Sequence, residues 1–323
     1  MATSFLILTD IGGHSEHNSL YALARTLVAD PRSDRVDVLS RHDPANADFF
    51  RGAGARGQGI RVGSDFAYAT AREQFARARP LPDPATYDVI WIRLPHPVAP
   101  SFFTYLGDLR GPRVVNRPDG ITTLGSKDYL PRLARWTPPT LLTRSVSELR
   151  KFVRQQEGAV LKPLRDYGGR GVVRLADEAA LDRWLADPAP RQALAGGGYL
   201  AMRYLRRVSE GDKRLLVVNG RILAASLRLP APGEWRCNVA QGGTSRPAEP
   251  DARERAMVAD LAPLLRDYGV VFCGVDTLVD DDGHRVLSEL NTLSIGGFPQ
   301  AEAQTGRPIL QQAINELFDY LTT

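Results

Sequence analysis

Residues 271–298 read VFCGVDTLVDDDGHRVLSELNTLSIGGF. This stretch contains two apolar, strand-like runs, Phe272–Val279 and Val286–Leu290, on either side of Asp282-Gly283. Two such runs separated by Asp-Gly are typical of a β-hairpin, because the glycine accepts the positive φ of a tight turn. We therefore predict a hairpin that turns at Asp282-Gly283.

The predicted hairpin brings three oxygen ligands to one face. Residues equidistant from the turn pair across the strands, so Asp276 lies opposite Glu289. Asn291 is two residues beyond Glu289 and shares its face. Two carboxylates and an amide suit Mg²⁺, which binds through a few carboxylates together with substrate phosphates. The alternative is a surface hairpin with solvated acids, but these residues interrupt apolar strands, and buried charges need partners.

The composition is that of a globular enzyme rather than of a nucleic-acid or membrane protein. The chain has 323 residues, enough for two or three domains. The 41 Lys and Arg against 37 Asp and Glu give a net charge of +4, which suits anionic substrates but does not indicate nucleic acid. Only Cys237 and Cys273 occur, without metal or disulfide spacing, which favours a reduced, cytoplasmic setting. No apolar run approaches the length of a membrane span, and no signal-peptide pattern opens the chain.

The N-terminal third predicts an α/β fold with an open, mainly parallel sheet, because strand-like runs alternate with helical periodicity. The strands are predicted at Ser4–Thr9, Arg35–Leu39, Asp88–Arg93 and Arg113–Asn116, and a helix at Ser19–Ala29.

Ligands of such sheets gather at the carboxyl ends of the strands. Asp10, Gly12, Gly13 and Arg93 lie at such ends. The Gly-Gly pair is a weak phosphate-loop signal, and a plain turn is the favoured alternative. A metal site at nearby His14 and His17 is disfavoured, since no third ligand is near.

The middle of the chain predicts a strand, a glycine-rich turn and a second strand, at Ala159–Leu164, residues 165–171 and Val172–Leu175. Backbone N–H groups of such a turn can surround a phosphate. Lys162, the lone charge in an apolar strand, would reach the same phosphates. A plain hairpin is the alternative.

Further elements are predicted from caps, turns and periodicity. Helices are expected at Ser126–Trp136, at Ser145–Gln156 with a Ser145/Glu148 capping box, at Ala252–Asp267 ending at Gly269, and at Ile309–Leu321. Strands are expected at Tyr199–Leu205 and, joined by Asn219-Gly220, at Asp212–Val218 and Arg221–Leu229. The loop that follows carries Arg228, Arg236 and Asn238, and arginine forks fit carboxylates and phosphates.

The run from Val160 to Asn291 closely resembles the ATP-grasp domain of bacterial glutathione synthetase. The matching pieces are VLKPL (160–164) with Gly168-Gly169, EGDKR (210–214), RLP (228–230) with RCN (236–238) and Gly242-Gly243, GVD (274–276) and ELN (289–291). Weaker N-terminal matches are NRP (116–118) with Lys127, and Arg93.

The resemblance implies an α/β, ATP-grasp fold in three parts. These are a pre-ATP-grasp N-terminal α/β domain (1–124), a central lid subdomain (125–205) and a C-terminal catalytic subdomain (206–323), with ATP between the last two.

The resemblance also implies the roles of individual residues. Lys127 and Lys162 would neutralise phosphates, and Gly168, Gly169 and Gly171 would close over the triphosphate. Met202, Arg203, Tyr204 and Leu205 would contact adenine, with Asp212 near the ribose. Asp276, Glu289 and Asn291 would hold two Mg²⁺ ions. The reacting carboxylate and the γ-phosphoryl group would meet Arg214, Arg228, Arg236 and Asn238, and further substrate contacts would come from Arg93, Ser294, Gly296 and Gly297.

The expected function is that of an ATP-dependent carboxylate–amine ligase that works through an acyl phosphate and releases ADP and phosphate. Small carboxylates and amines are the expected partners, with no nucleic acid and no membrane, and the chain is expected to form a homo-oligomer. The alternatives are a ligase that modifies a larger peptide precursor and a nucleotide-binding protein without turnover.

One departure from the family bears on the amine. The family continues after its Glu-x-Asn pair as V-T-S-P, whereas this chain reads TLSIGGF at residues 292–298. Adjacent glycines let the backbone approach a ligand closely. Ile295 and Phe298 make this loop apolar, so we expect an amine larger or less polar than glycine.

Overall fold

The computed structural model of the protein describes residues 2–54, 56–164, 171–231 and 244–323. Within those ranges the strands form three sheets, which follow one another along the chain. The predicted turn residues Gly168 and Gly169 and the loop residues Arg236, Cys237 and Asn238 lie outside the described residues.

Helices and strands occur in every described range. The strands are β1 (Thr3–Thr9), β2 (Ser33–Ser40), β3 (Gln58–Arg61), β4 (Arg79–Pro80), β5 (Val89–Ile92), β6 (Arg113–Val115), β7 (Thr140–Thr143), β8 (Ala159–Pro163), β9 (Val173–Leu175), β10 (Tyr199–Arg203), β11 (Asp212–Val218), β12 (Arg221–Leu229), β13 (Thr244–Ala248), β14 (Phe272–Val279) and β15 (Arg285–Asn291). The α-helices are α1 (Ser19–Ala29), α2 (Ala47–Phe50), α3 (Tyr68–Phe75), α4 (Pro100–Asp108), α5 (Pro118–Leu124), α6 (Val146–Gln156), α7 (Glu178–Ala186), α8 (Pro188–Gly196), α9 (Ala252–Asp267), α10 (Phe298–Thr305) and α11 (Ile309–Thr322). None of the helices in these ranges is long and apolar enough to cross a membrane.

The first sheet has the strand order β4-β3-β2-β1-β5-β6. Strands β2, β1, β5 and β6 are parallel, and β3 and β4 add an antiparallel edge. Strand β1 is apolar on both faces, because Phe5 and Ile7 enter one core while Leu6 and Leu8 enter another. Burial of both faces is the rule for parallel sheets with helices on each side. The predicted open, mainly parallel sheet is confirmed.

The second sheet is antiparallel, with the order β7-β10-β8-β9. Helices α6 and α7 cover one face, where Phe152 and Leu181 pack in the same cluster as Leu161 of β8. Ser145 caps α6 as predicted, since its side chain accepts from the Glu148 N–H at 3.4 Å. The reciprocal half of the capping box is absent, because the Glu148 carboxylate accepts from the hydroxyl of Thr143 instead, at 2.6 Å.

The third sheet is antiparallel, with the order β13-β12-β11-β14-β15. Asn219 and Gly220, at φ of 49° and 75°, connect β11 to β12 as the predicted type I′ turn requires. Helix α9 ends where the sequence predicts. Gly269 follows it at φ 62°, and the Val270 N–H donates back to the Leu265 carbonyl at 2.7 Å.

Aromatic contacts join the first sheet to the third sheet and to the C-terminal helices. The ring of Phe272 on β14 stacks on Trp91 of β5 with 4.8 Å between centroids. Phe298 of α10 lies edge-on to Phe272, and Phe318 of α11 lies edge-on to Phe5. The predicted domain bounds at residues 124 and 205 stay a prediction.

One predicted helix is wrong in type. The segment predicted as the helix Ser126–Trp136 forms a 3₁₀ helix over Lys127–Leu133, with Pro131 inside it. Proline has no N–H to donate and clashes with the carbonyl four residues earlier, so an α-helix is disfavoured there.

Candidate active site

The hairpin of β14 and β15 places the predicted metal ligands side by side. Asp276 pairs with Glu289 across the two strands, and Gly274 pairs with Asn291. The amide nitrogen of Asn291 donates to Asp276 at 3.0 Å. The prediction that these three residues share one face of the hairpin is confirmed.

The pairing of Asp276 with Glu289 depends on a bulge that the sequence did not reveal. The register runs evenly from Val279↔Arg285 to Thr277↔Leu287 and then shifts by one residue. Ser288 is the extra residue. Without it Asp276 would face Ser288, and Glu289 would lie on the opposite face of the sheet. Five residues (280–284) separate the strands, one fewer than between the predicted runs, because β15 begins at Arg285.

Two arginines surround the carboxylate of Asp276. Arg214 lies opposite Asp276 on β11, and its Nε and a terminal nitrogen donate to the two carboxylate oxygens at 2.7 Å each. A terminal nitrogen of Arg228 lies 2.7 Å from Asp212 and 2.9 Å from Asp276. Arg214 and Arg228, both predicted site residues, therefore contact the predicted metal ligand Asp276, and Arg228 links it to Asp212. Arg236 and Asn238 lie outside the described residues.

The cluster favours an ionised Asp276 and a charged Arg228. Burial opposes ionisation of Asp276, which is only 3% exposed, but the charges of Arg214 and Arg228 outweigh burial and lower the pKa of its carboxyl. Burial and the charge of Asp276 raise the pKa of Asp212. For Arg228, burial is outweighed by the two carboxylates, which raise its pKa. The result is a compact group of two acids and two arginines.

Two lysines lie on the Glu289 side of this cluster. Lys127 is buried, and its Nζ is 3.8 Å from a carboxylate oxygen of Glu289. Lys162 on β8 donates to both the carbonyl and the hydroxyl oxygen of Ser288, at 3.1 Å each. Burial lowers the pKa of Lys162, although the nearby Glu289 opposes that shift. The two lysines predicted to neutralise phosphates thus lie beside the predicted metal ligands.

The strand predicted to contact adenine is β10 with the residues after it. Met202 and Leu205 are buried. Arg203 donates to Asp281 of the hairpin connection at 2.8 Å. The contacts of these residues and of Tyr204 with adenine stay a prediction.

Tyr204, Gly171 and Asp212 are also predicted to contact ATP, and each has different neighbours. Tyr204 lies under the guanidinium of Arg174, 3.9 Å from its ring centroid. Gly171, at φ 66°, directly follows the part of the glycine turn that is not described. Asp212, expected near the ribose, is an ion-pair partner of Arg228. Binding of ATP by these residues stays a prediction.

The loop after Asn291 is held against the first sheet. Ser294 and Gly297 have positive φ, 50° and 106°. The Gly297 N–H donates to the Ser19 hydroxyl at 3.0 Å, and buried Arg93 donates to the Ile295 carbonyl at 2.7 Å. Burial lowers the pKa of Arg93 to about 10. The loop residues Ser294, Gly296 and Gly297 therefore lie close to Arg93 in the chain fold. The role of these four residues in binding substrate stays a prediction.

The apolar residues of this loop do not line a pocket. Ile295 and Phe298 are 2% and 0% exposed. Both belong to the hydrophobic core that contains Trp91 and Phe272. The prediction that these two residues shape an apolar amine pocket is wrong, because their side chains pack inward between the first and third sheets.

Asn116 has a structural role that its sequence context did not indicate. Its amide nitrogen donates to the carbonyls of Phe272 and Thr292 at 2.7 Å each. Its amide oxygen accepts from the N–H groups of Val271 and Phe272 at 2.8 and 2.9 Å. One buried side chain thus fixes the backbone where β14 begins and where β15 ends. The family-like NRP run marked the position but not this contact.

The donor set fits Mg²⁺ better than a metal held by protein ligands alone. In the part of the chain that the structure describes, no group of three or more His, Cys, Asp and Glu residues could hold a metal. Asp276 and Glu289 supply two carboxylates, and Asn291 supplies an amide carbonyl. A cation bound here would need further oxygens from phosphate and water, which is how Mg²⁺ binds in nucleotide enzymes.

Comparisons with known proteins agree with the family resemblance seen in the sequence. The family model for the ATP-grasp domain of prokaryotic glutathione synthetase matches residues 126–306. The glutathione synthetase of Parasynechococcus marenigrum (strain WH8102) is 38% identical over 238 residues, which cover 72% of this chain and 75% of that protein.

Two solved structures share the fold. The D-cycloserine synthetase DcsG superposes with a TM-score of 0.69 at 17% identity, covering 98% of this chain and 99% of that one. The D-alanine-D-alanine ligase from Coxiella burnetii gives a TM-score of 0.65 at 12% identity, covering 99% and 94%. At these identities the likeness establishes the fold alone, and it confirms the predicted ATP-grasp fold.

Proposed function

Because the chain belongs to the prokaryotic glutathione synthetase ATP-grasp family, and is therefore an ATP-dependent carbon–nitrogen ligase, we propose that it joins a small carboxylate to an amine through an acyl phosphate. One observation supports this proposal above the others. The bulged hairpin sets Asp276, Glu289 and Asn291 on one face, with Arg214 and Arg228 against them.

The first chemical step would transfer the γ-phosphoryl group of ATP to the donor carboxylate. A carboxylate is a poor electrophile, and phosphorylation gives it a good leaving group. Phosphoryl transfer needs positioning and charge neutralisation more than covalent help from the protein. Lys127 and Lys162 would offset phosphate charge on one side of the site, and Arg214 and Arg228 on the other.

The family uses ATP and Mg²⁺. We propose that Asp276, Glu289 and Asn291 hold two Mg²⁺ ions, which when bound would neutralise the charge of the phosphates. Asp276 would then exchange part of its arginine contacts, because both of its oxygens accept hydrogen bonds from Arg214.

Arg228 has a donor to spare for the substrate. Among the described residues, Arg228 Nε and Asp212 Oδ1 are buried without a hydrogen-bond partner. Buried polar atoms are usually paired, so an orphan donor and an orphan acceptor at one site point to a missing ligand or to a second arrangement. The donor carboxylate is the ligand we assign to Arg228.

The second step would be attack of the amine nitrogen on the acyl carbon. The carbon–nitrogen bond forms, the bond from carbon to the phosphate oxygen breaks, and the amine loses a proton. Water must be excluded until then, since an acyl phosphate hydrolyses readily. We assign that role to the glycine turn at residues 168–171.

We also propose the chemical nature of the substrates. The substrates are small molecules, with γ-glutamyl-cysteine, another small peptide or an amino-acid derivative as the acyl donor. Glycine stays among the candidate amines, because the loop argument against it fails. A homo-oligomer and a cytoplasmic location, the latter supported by the free and buried Cys273, complete the proposal.

A screen of paired substrates tests this function. Amino acids and dipeptides are supplied two at a time with ATP and Mg²⁺, and phosphate release is measured against each compound alone. We expect one pair to exceed the sum of its members, and Glu289→Gln to abolish that release while keeping a folded protein. Release by Glu289→Gln at nearly the wild-type rate would remove the metal assignment.

A further inference from the structure

Ser288 contacts a residue on another sheet. It lies on β15 and is 8% exposed. Its carbonyl and hydroxyl oxygens both accept from Nζ of Lys162, at 3.1 Å each. Lys162 lies on β8 of the second sheet, so this contact crosses from the second sheet to the third. None of the assigned roles above includes Ser288.

The bulge explains why Ser288 can make this contact. The extra residue of a bulge is left out of the ladder, and its backbone groups are free to turn elsewhere. The N–H group of the neighbouring Leu287 also bonds outside the hairpin, since it donates to the Trp136 carbonyl at 2.7 Å. A regular strand would use the Ser288 carbonyl in the ladder and would also move Glu289 to the other face.

The ammonium group of Lys162 divides its N–H donors between Ser288 and a ligand. An ammonium group has three. Two of those on Lys162 are directed at Ser288, which fixes the position of Nζ and leaves one donor for a phosphate oxygen. Without the hydroxyl, one bond to the carbonyl remains. The ammonium group of Lys162 could then turn about this single hydrogen bond. Repulsion by the positive charge of Lys127 would favour its movement away from Lys127.

We propose that Ser288 is a positioning residue for Lys162, which it holds beside Glu289 so that the nucleotide meets the ammonium group already in place. The proposal rests on the proposed function, because it takes Lys162 as a phosphate-binding residue. On this proposal the bulge has two functions. The extra residue turns Glu289 to the metal face and also provides the acceptor that fixes the lysine.

Two matched variants separate the hydroxyl from the shape of the side chain. Ser288→Thr keeps the hydroxyl group. Ser288→Val introduces a side chain with the same branched shape as threonine but without the hydroxyl group. The quantity measured is the Kd for a non-hydrolysable ATP analogue with Mg²⁺, by calorimetry, without donor or amine. We expect Ser288→Val to weaken binding about tenfold, the effect of losing one hydrogen bond to a charged group, and Ser288→Thr to stay within about twofold of wild type.

Adenosine is the control ligand, since it lacks phosphates. Its affinity should be the same in wild type, Ser288→Thr and Ser288→Val. If Ser288→Val weakens adenosine as much as the analogue, Ser288 supports the fold and not the lysine, and the proposal is overturned. Equal affinity of Ser288→Val and Ser288→Thr for the analogue overturns it as well.

A Lys162→Met background separates this proposal from the proposed function. In that background Ser288→Val should cause no further loss of affinity for the analogue, because the residue that it positions is absent. If Lys162→Met alone binds the analogue like wild type, the assignment of Lys162 to phosphate fails. If Lys162→Met weakens binding and Ser288→Val weakens it further by the same factor as before, only the positioning role fails.

Discussion

Asp276 and Glu289 are both proposed Mg²⁺ ligands, yet the structure predicts very different costs when each loses its charge. Asp276 is buried and accepts hydrogen bonds from Arg214 and Arg228. The side chain of Glu289 is 33% exposed, and Lys127 lies 3.8 Å from it. Asp276→Asn and Glu289→Gln each keep the shape of the side chain and remove one negative charge.

The magnitudes follow from these surroundings. Asp276→Asn leaves Arg214 and Arg228 with Asp212 as the acid of the cluster, and it turns one acceptor oxygen into an NH₂ group facing arginine donors. Breaking a buried ion pair by removing one partner costs about 3–5 kcal/mol. Glu289→Gln loosens a 3.8 Å contact with buried Lys127, and because water reaches the carboxylate of Glu289 we expect the loss to be about 1 kcal/mol. The two variants should therefore differ by about 3 kcal/mol in the free energy of unfolding.

Urea unfolding without nucleotide or Mg²⁺ measures this difference, since no ligand then stabilises the folded state. Tryptophan fluorescence and circular dichroism would follow wild type and both variants. We expect Glu289→Gln to unfold near the wild-type midpoint and Asp276→Asn at a much lower urea concentration, with turnover lost in both. Coincident unfolding curves for the two variants would refute the arginine cluster around Asp276.

Three other perturbations give distinct readouts. Arg228→Lys keeps the charge but loses the guanidinium fork, so kcat/KM for the donor should fall about tenfold or more in steady-state kinetics, and an unchanged value would remove the donor-binding role. Asn116→Ala deletes four buried hydrogen bonds and should lower the free energy of unfolding by about 3 kcal/mol, whereas a loss under about 1 kcal/mol in urea would contradict its role at the hairpin ends. Burial and the charge of Arg93 lower the pKa of His14 to about 4 in the folded protein, from 6.5. Between those values the unfolded chain binds more protons, so the contribution of His14 to stability is present above pH 6.5 and is lost as the pH falls toward 4. His14→Gln should make the fall in Tm on acidification shallower, and an unchanged pH dependence would contradict this.

Local patterns predicted most of the third sheet correctly. The strands β11, β12 and β14 and helix α9 begin and end where alternation, turn residues and caps indicate. Asn219 and Gly220 specify a turn with two positive φ values, so the pairing of β11 with β12 follows from the chain itself. The pairing of Asp276 with Glu289 was also predicted correctly, although from symmetry about Asp282-Gly283 and without the bulge on which it depends.

The features that escaped prediction depend on distant residues. Nothing around Ser288 marks a bulge, because its carbonyl and hydroxyl are used by Lys162, 126 residues earlier. The apolar Ile295 suits a pocket or a core equally well, and only the packing of the first sheet against the third decides it. Asn116 likewise acts through partners more than 150 residues away. Local propensity carries no information on such contacts.

If the reaction passes through an acyl phosphate, one oxygen atom of the donor carboxylate must leave with the phosphate. Once the screen has identified a productive pair, the donor is labelled with ¹⁸O in both carboxylate oxygens, and the released phosphate is analysed by mass spectrometry. Attack of the carboxylate on the γ-phosphorus predicts one ¹⁸O atom in each phosphate, with the other ¹⁸O retained in the amide carbonyl. Unlabelled phosphate, formed while the amide accumulates, would rule out the acyl phosphate.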